Sequence, residues 1–199
     1  MRLPERVEWV ASRVGGKDVL DVGCVGDFRR ILTGRTHTCP EIIVRAKFVL
    51  GIDINREGVE VMRNLGYNVI YANAENFVSE RKFDVVVLGA CVEHMDNSGL
   101  VFDRAWENLR EGGRVVITTP TARYLGFTFK EKAGRTHNFV FTPKFLSRML
   151  KRHGFRVIEV QHFGEQGSTN LIGVLYRIFL RFFPQYSMHF GVVAEKVER

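Results

Sequence analysis

The chain has 199 residues, 45% hydrophobic and 26% charged, which suits one globular domain with a sizeable core and argues against intrinsic disorder. The formal net charge is +7, and the three cysteines (Cys24, Cys39, Cys91) are too few and too scattered for a disulfide framework or a CxxC metal site. The N-terminal MRLPERVEWV carries Pro4 and charges where a secretory leader needs an apolar run, and no stretch nears the ~18 uncharged apolar residues of a membrane span, so a cytoplasmic, reducing compartment is expected.

Short β-branched runs alternate with helical patterns, as a parallel α/β sheet requires. An opening helix is predicted around Glu5 to Val14, then a strand over DVLDV, Asp18 to Val22. PEIIVRAK, with Pro40 at a first helical position, supplies part of the crossover to FVLGIDI, Phe48 to Ile54. REGVEVMRNL places Val59, Met62 and Leu65 on one face, with Gly66 as its stop. NVIYA (Asn68 to Ala72) is a short third strand, and FDVVVLGA (Phe83 to Ala90) reads as a fully buried fourth. A helix from about Ser98, facing inward through Val101, Phe102, Ala105 and Leu109, is expected to end at Gly112-Gly113. RVVITT (Arg114 to Thr119), closed by Pro120, is the fifth strand.

Residues 121–140 are irregular and polar-aromatic, a length typical of functional lids. Thr142-Pro143 then opens a helix as cap and first residue, with Phe145, Leu146, Met149 and Leu150 inward and Gly154 as stop. FRVIEV (Phe155 to Val160) and HFGVVAEKV (His189 to Val197) complete a doubly wound, mostly parallel sheet of seven strands with helices on both faces. LIGVLYRIFLRFF, between them, is read as a core helix plus connection. Its apolar, aromatic and basic character also suits covering a greasy substrate or peripheral contact with an anionic membrane. The whole of 1–199 is expected to be one domain, with a ligand-binding half over 1–120 and a basic half over 121–199.

The basic excess is confined to that second half. Residues 1–120 hold 16 Lys/Arg against 17 Asp/Glu, and residues 121–199 hold 13 against 5. Such asymmetry attracts an anionic substrate, nucleic acid or an acidic membrane surface, and is equally consistent with a solvated face.

A doubly wound sheet binds ligands outside the carboxyl ends of its strands. After the first strand comes VGCVGD, where glycine lets the backbone approach a ligand and a following helix N-terminus favours negative charge. The second strand ends in Asp53, a carboxylate able to accept from both hydroxyls of a ribose. Those features fit any nucleoside cofactor. Asp21 discriminates among them, since a first-strand carboxylate repels a pyrophosphate but suits a ligand bearing an ammonium and a sulfonium. The dinucleotide fingerprint GxGxxG is absent, with only Gly23 and Gly26 in place.

In order along the chain, VLDVGC, VLGIDIN, ANAENF, FDVVVLGACVEHM and LREGGRVVITTP, followed by GFRVIEV, resemble the core motifs of class I S-adenosylmethionine-dependent methyltransferases. Val19 to Pro120, about half the chain, carries the resemblance. It is closest to the small-molecule branch containing ubiquinone-pathway O-methyltransferases and glycan-cluster methyltransferases. Against the family's D-x-G-x-G-x-G, Val25 stands where the middle glycine is expected and Gly26 comes one place late. Asn73 replaces the usual aspartate, and Arg110-Glu111 replaces Lys-Pro. The resemblance implies that Asp21 and Gly23 hold the amino-acid end of the cofactor, with Cys24 in the same turn. It further implies that Asp53 binds the ribose, Ile54 packs on adenine, Asn73 with Ala74 reads its edge, and the carbonyls near Ala90 receive the ammonium. By residue type alone, Asp53 can also be read as a helix cap, Asp21 as a partner of backbone amides and Asn73 as a turn residue, while Cys24 reads first as core filler.

Methyl transfer from a sulfonium is an in-line displacement that needs a positioned, deprotonated acceptor. His94, just past the fourth strand, is the first base candidate, with Glu93 orienting it or acting alone, and His137 in GRTHNFVFT is another. His94 reads also as a structural residue of the cofactor pocket. No His/Asp/Glu cluster has metal-ligand spacing along the chain, so no metal is expected. The fourth strand lacks the Asn/Asp-Pro-Pro-aromatic turn of base-amine methylation, and RFFPQYSMHF offers no stacking platform, which leaves nucleic acid disfavoured. The expected acceptor is a hydroxyl or amine of a small, anionic or lipid- or glycan-linked molecule. RNA methylation, a non-catalytic cofactor-binding subunit and a nicotinamide-dependent oxidoreductase are the competing readings. Oligomeric state is not legible in the sequence.

Overall fold

The computed structural model describes residues 4–26, 38–123, 137–164 and 171–199. In chain order its main elements are α1 (Glu5–Ala11), β1 (Asp18–Val22), α2 (Thr38–Arg45), β2 (Phe48–Asp53), α3 (Arg56–Asn64), β3 (Val69–Tyr71) and β4 (Phe83–Gly89). There follow α4 (Ser98–Asn108), β5 (Leu109–Pro120), α5 (Pro143–Arg152), β6 (Phe155–Phe163), α6 (Leu171–Phe182) and β7 (His189–Lys196). The strands form one sheet in the order β3-β2-β1-β4-β5-β7-β6. All neighbours from β3 to β5 pair in parallel, and β7 runs antiparallel to both β5 and β6. The expected doubly wound α/β architecture of seven strands is the observed one.

Strand alternation covers both faces. Val86 and Leu88 of β4, Val115 and Ile117 of β5, and Val192 and Ala194 of β7 pack with Phe102, Phe141, Leu146, Leu150 and Phe155. Their alternate neighbours Val85, Val87, Val116 and Val193 pack with Trp9, Val10, Val14 and Ile42. This period of two, apolar on both faces, is why β4 reads as a continuous hydrophobic run. Three of the described helices, α3, α4 and α5, start at side-chain caps. Asn55 Oδ1 accepts from Gly58 N at 3.0 Å, Asn97 Oδ1 from Leu100 N at 3.2 Å, and Thr142 Oγ1 from Phe145 N at 3.2 Å, each cap contributing about 1 kcal/mol.

Several expected boundaries move. The helix predicted to reach Gly112-Gly113 ends at Asn108, whose side chain instead closes the turn by accepting from Ser79 N and donating to Phe77 O. Leu109 therefore opens β5, paired with Phe83, and the ladder resumes at Arg114 against Val85. The glycine pair makes the bulge between them, with Gly112 at φ +69°. The first helix stops at Ala11, and β6 runs three residues beyond Val160. Leu65, expected inward, is the C-terminal residue beyond α3 and is exposed. Phe145 is partly exposed while Leu146 and Leu150 are buried. The largest departure is α6, which is not a core helix. Val174, Leu175, Ile178 and Phe182 are all exposed. Among the described residues no helix is long and apolar enough to cross a membrane.

Candidate functional site

The switch in strand order falls between β1 and β4, which opens a crevice at their carboxyl ends. Gly23 follows β1 there with φ +72°, and a Cβ on it would lie 2.8 Å from Cys91 Cβ. Only glycine lets the β1 and β4 loops come this close. Its amide donates to Ile52 O at 2.9 Å. Two residues on, the Val25 amide donates to Asp53 Oδ2 at 3.0 Å, while Asp53 Oδ1 accepts from Asn55 N at 2.8 Å. The irregular glycine loop is thus tied directly to the acid that ends β2. Ile54, next in the chain, is 67% exposed, an unusual position for an isoleucine at a strand end.

Asp21 is buried, and its Oδ2 has no hydrogen-bond partner among the described residues. Burial pushes its carboxyl up to about 7, the nearby Asp53 charge adds to this, and the Cys39 thiol beside it acts in the opposite direction. A buried orphan carboxylate oxygen calls for a proton or a cation. Together with the close approach at Gly23 and the Asp53 carboxylate, it suits a nucleoside ligand that carries positive charge. Cys24, Cys39 and Cys91 are buried thiols whose ionisation is pushed far up by desolvation.

Asn73 Oδ1 accepts from Glu75 N at 2.8 Å, an Asx turn. The residue therefore holds the loop after β3 in shape, as its turn-residue reading anticipates. Ala74 is buried in the core. Glu75, which sequence reasoning did not single out, spans to the next loop, where Oε1 accepts from Asp96 N at 2.8 Å and Asn97 N at 2.9 Å. Ala90 has φ +55°, a left-handed conformation rare for a residue with a Cβ, and its amide donates to Thr118 O at 2.8 Å. Strain of this kind is concentrated at functional sites.

The three acid-base candidates come together. Glu93 and His94 lie in a short 3₁₀ turn (Val92–His94) after β4. Residues 138 and 139 fold onto that turn, with Asn138 N and Phe139 N donating to Glu93 O at 2.8 and 3.1 Å. Asn138 Nδ2 adds donations to the His94 and Met95 carbonyls. This brings the His137 ring to 4.8 Å from the His94 ring, centroid to centroid. Glu93 is buried, its Oε2 accepts from Thr119 Oγ1 at 2.9 Å, and burial raises its carboxyl above the ordinary range. His189, opposite Pro120 in the β5–β7 ladder, is pushed down to about 4, mainly by burial. Nearby Arg6, which donates to Thr118 Oγ1, and His137 both add to that shift. Thr119, His189 and Arg6 were not legible as site residues, because only the β5–β7 pairing and the return of α1 place them at this end of the sheet. Of residues 121–140, those at 124–136 lie outside the described residues. Ala122 N donates to Phe141 O at 2.8 Å, joining the two described ends of that segment.

Residues 3–160 match a family model described as a methyltransferase domain. The chain is 26% identical over 178 residues to a ubiquinone biosynthesis O-methyltransferase of Aromatoleum aromaticum, covering 79% of this chain and 72% of that protein. Among solved structures, a SAM-dependent methyltransferase from Archaeoglobus fulgidus superposes with TM-score 0.65 at 19% identity, covering 96% of this chain and 94% of the other. The N-methyltransferase NodS from Bradyrhizobium japonicum, in complex with S-adenosyl-L-homocysteine, gives TM-score 0.63 at 13% identity over 98% and 85%.

Proposed function

Because the chain belongs to the methyltransferase-domain family and is a class I S-adenosylmethionine-dependent methyltransferase, we propose that it methylates a hydroxyl or amine of a small acceptor at the carboxyl ends of β4 and β5. The observation that carries this reading is the convergence of Glu93, His94 and His137 beside the cofactor crevice, from segments 43 residues apart in sequence. When bound, S-adenosylmethionine supplies an electrophilic methyl group on a sulfonium. Glu93, His94 and His137 would receive the proton that the acceptor gives up as it takes the methyl group.

The protein's own residues provide position and charge. Asp53 would hold the ribose through the lone pairs left after its two backbone bonds, and Ile54 would cover adenine. Gly23, with Cys24 behind it, lets the ligand lie against the β1 loop. Asp21 would compensate the ligand's positive charge, and the carbonyls of the strained Ala90 turn would receive the ammonium. Asn73 and Ala74 shape the adenine end through the loop rather than by a free side-chain acceptor. Residues 1–120 serve as the cofactor half and residues 121–199 as the acceptor half of one domain. The exposed apolar face of α6, which leads through Pro184–Tyr186 into His189, supports an acceptor with an apolar, lipid-like portion.

The test is release of S-adenosylhomocysteine from S-adenosylmethionine across a panel of phenolic, prenylated, glycan and amine acceptors. Turnover with a hydroxyl or amine acceptor, lost in His94→Ala without loss of cofactor affinity, is the expected result. Cofactor binding with no turnover on any of them would favour a non-catalytic subunit instead.

A further inference from the structure

On the acceptor side just described, and resting on that reading, we propose that Glu93, His94 and His137 form a binding site for one divalent first-row transition ion. One ligand atom from each residue lies within 4.8 Å of the others. Ligands around a zinc-class ion at ~2.0–2.2 Å sit roughly 3–3.5 Å apart. Closing the site therefore takes a shift of about 1–2 Å, the scale of a side-chain rotation.

The frame behind the three is firm. Thr119 Oγ1 fixes one oxygen of the buried Glu93 carboxylate, which orients the group as an outer hydrogen bond orients a metal-bound carboxylate. The Asn138 and Phe139 amides and the Asn138 side chain clasp the carbonyls of residues 93–95, so the segment carrying His137 is held against the one carrying His94. Burial falls in sequence across the set: Glu93 is buried, His137 half-buried and His94 exposed. The unused coordination positions consequently lie on the solvent side, where an acceptor oxygen arrives.

Two imidazoles with one carboxylate are the donor set of zinc, manganese, iron(II) or cobalt rather than of magnesium or calcium, which prefer oxygen alone. A hydroxyl bound to such an ion loses its proton far more readily than a free one. The ion thereby gives these three residues a shared task, lowering the proton affinity of the acceptor hydroxyl, whose proton passes to solvent. Spacing along the chain does not reveal the site, because its third ligand comes from a different loop.

The experiment titrates metal-free protein with cobalt(II), followed by calorimetry and visible absorption, in wild type, His94→Ala and His137→Ala. S-adenosylhomocysteine affinity is measured in parallel. Expected are one ion per chain, imidazole–carboxylate bands without the intense sulfur-to-metal absorption that binding at the cysteines would give, and an affinity at least about tenfold weaker in each variant, with S-adenosylhomocysteine affinity unchanged. Absence of stoichiometric binding, or binding indifferent to both substitutions, overturns the site. Turnover undiminished in metal-free protein overturns its role in the reaction and leaves methyl transfer itself intact. Failure to bind S-adenosylhomocysteine while binding cobalt would remove the methyl-transfer reading and keep the cation site.

Discussion

The Val25 amide donates to Asp53 Oδ2 at 3.0 Å, so the residue that departs most from the family's glycine motif is the one that fastens the glycine loop to the acid ending β2. A β-branched residue at this position shifts the loop's glycine to Gly26, which has φ +46°, and the main chain still reaches the carboxylate. Asp53 thus has a structural task toward residues 25 and 55, and the ligand-binding task proposed for it falls to its remaining lone pairs.

Substituting that acid separates the two. Asp53→Ala is expected to weaken S-adenosylhomocysteine binding by about 1–3 kcal/mol, the scale for hydrogen bonds to a charged group. Asp53→Asn retains an oxygen for only one of the two amides and should lie between. Calorimetric titration of the three proteins checks this, and an unchanged affinity in Asp53→Ala would remove the ribose assignment.

Asp21 predicts a pH dependence. Its carboxyl rises from the ordinary 3.8 to about 7, so between those values the folded chain holds a proton that the unfolded chain has lost. Stability of the unliganded protein therefore falls as pH rises from about 4 to about 7, then levels off. Over the same interval S-adenosylhomocysteine should bind more tightly with rising pH, by at most tenfold per unit, as Asp21 becomes the anion that compensates the ligand ammonium. Asp21→Asn should flatten both trends. Denaturation midpoints and binding isotherms across that range decide it.

Much of this was legible in the residues, and the reasons differ by element. β1 and β4 declare themselves because both faces are buried, and the cap Thr142 works locally. The helix boundary near Gly112-Gly113 was misplaced because Asn108, a tertiary partner of Phe77 and Ser79, ends α4 earlier than local pattern implies. α6 looked like core because its composition is apolar, yet burial depends on what packs against it, and four of its apolar side chains face out. In the site, Asp21 and Asp53 stood out by position on their strands, and Glu93 and His94 by following the fourth. Thr119, His189 and the joining of His137 to Glu93 and His94 depend on long-range pairing that no local signal carries.

The Ala90 turn makes a backbone prediction. At φ +55°, a β-branched side chain is strongly disfavoured. Ala90→Val should lower stability by about 1–3 kcal/mol, whereas Ala90→Gly should leave it within about 1 kcal/mol of wild type. Urea denaturation of the pair is the check, and equal effects would mean that the turn relaxes in solution.

The cysteines supply a reactivity prediction. All three are buried with their thiols pushed toward the neutral form, so none should react rapidly with a thiol reagent in the native protein, and all three should react on unfolding. Rapid modification of one thiol in the folded protein would place that residue in an open, activated site instead.

The central claim is that the crevice at the carboxyl ends of β1 and β4 binds the methyl donor's nucleoside and amino-acid ends together. Its most direct test is calorimetric titration of the purified protein with S-adenosylhomocysteine, with NAD as control. One-to-one binding at micromolar concentrations, with no heat from NAD, is the predicted result. A folded protein that binds neither, or binds NAD alone, would contradict the account.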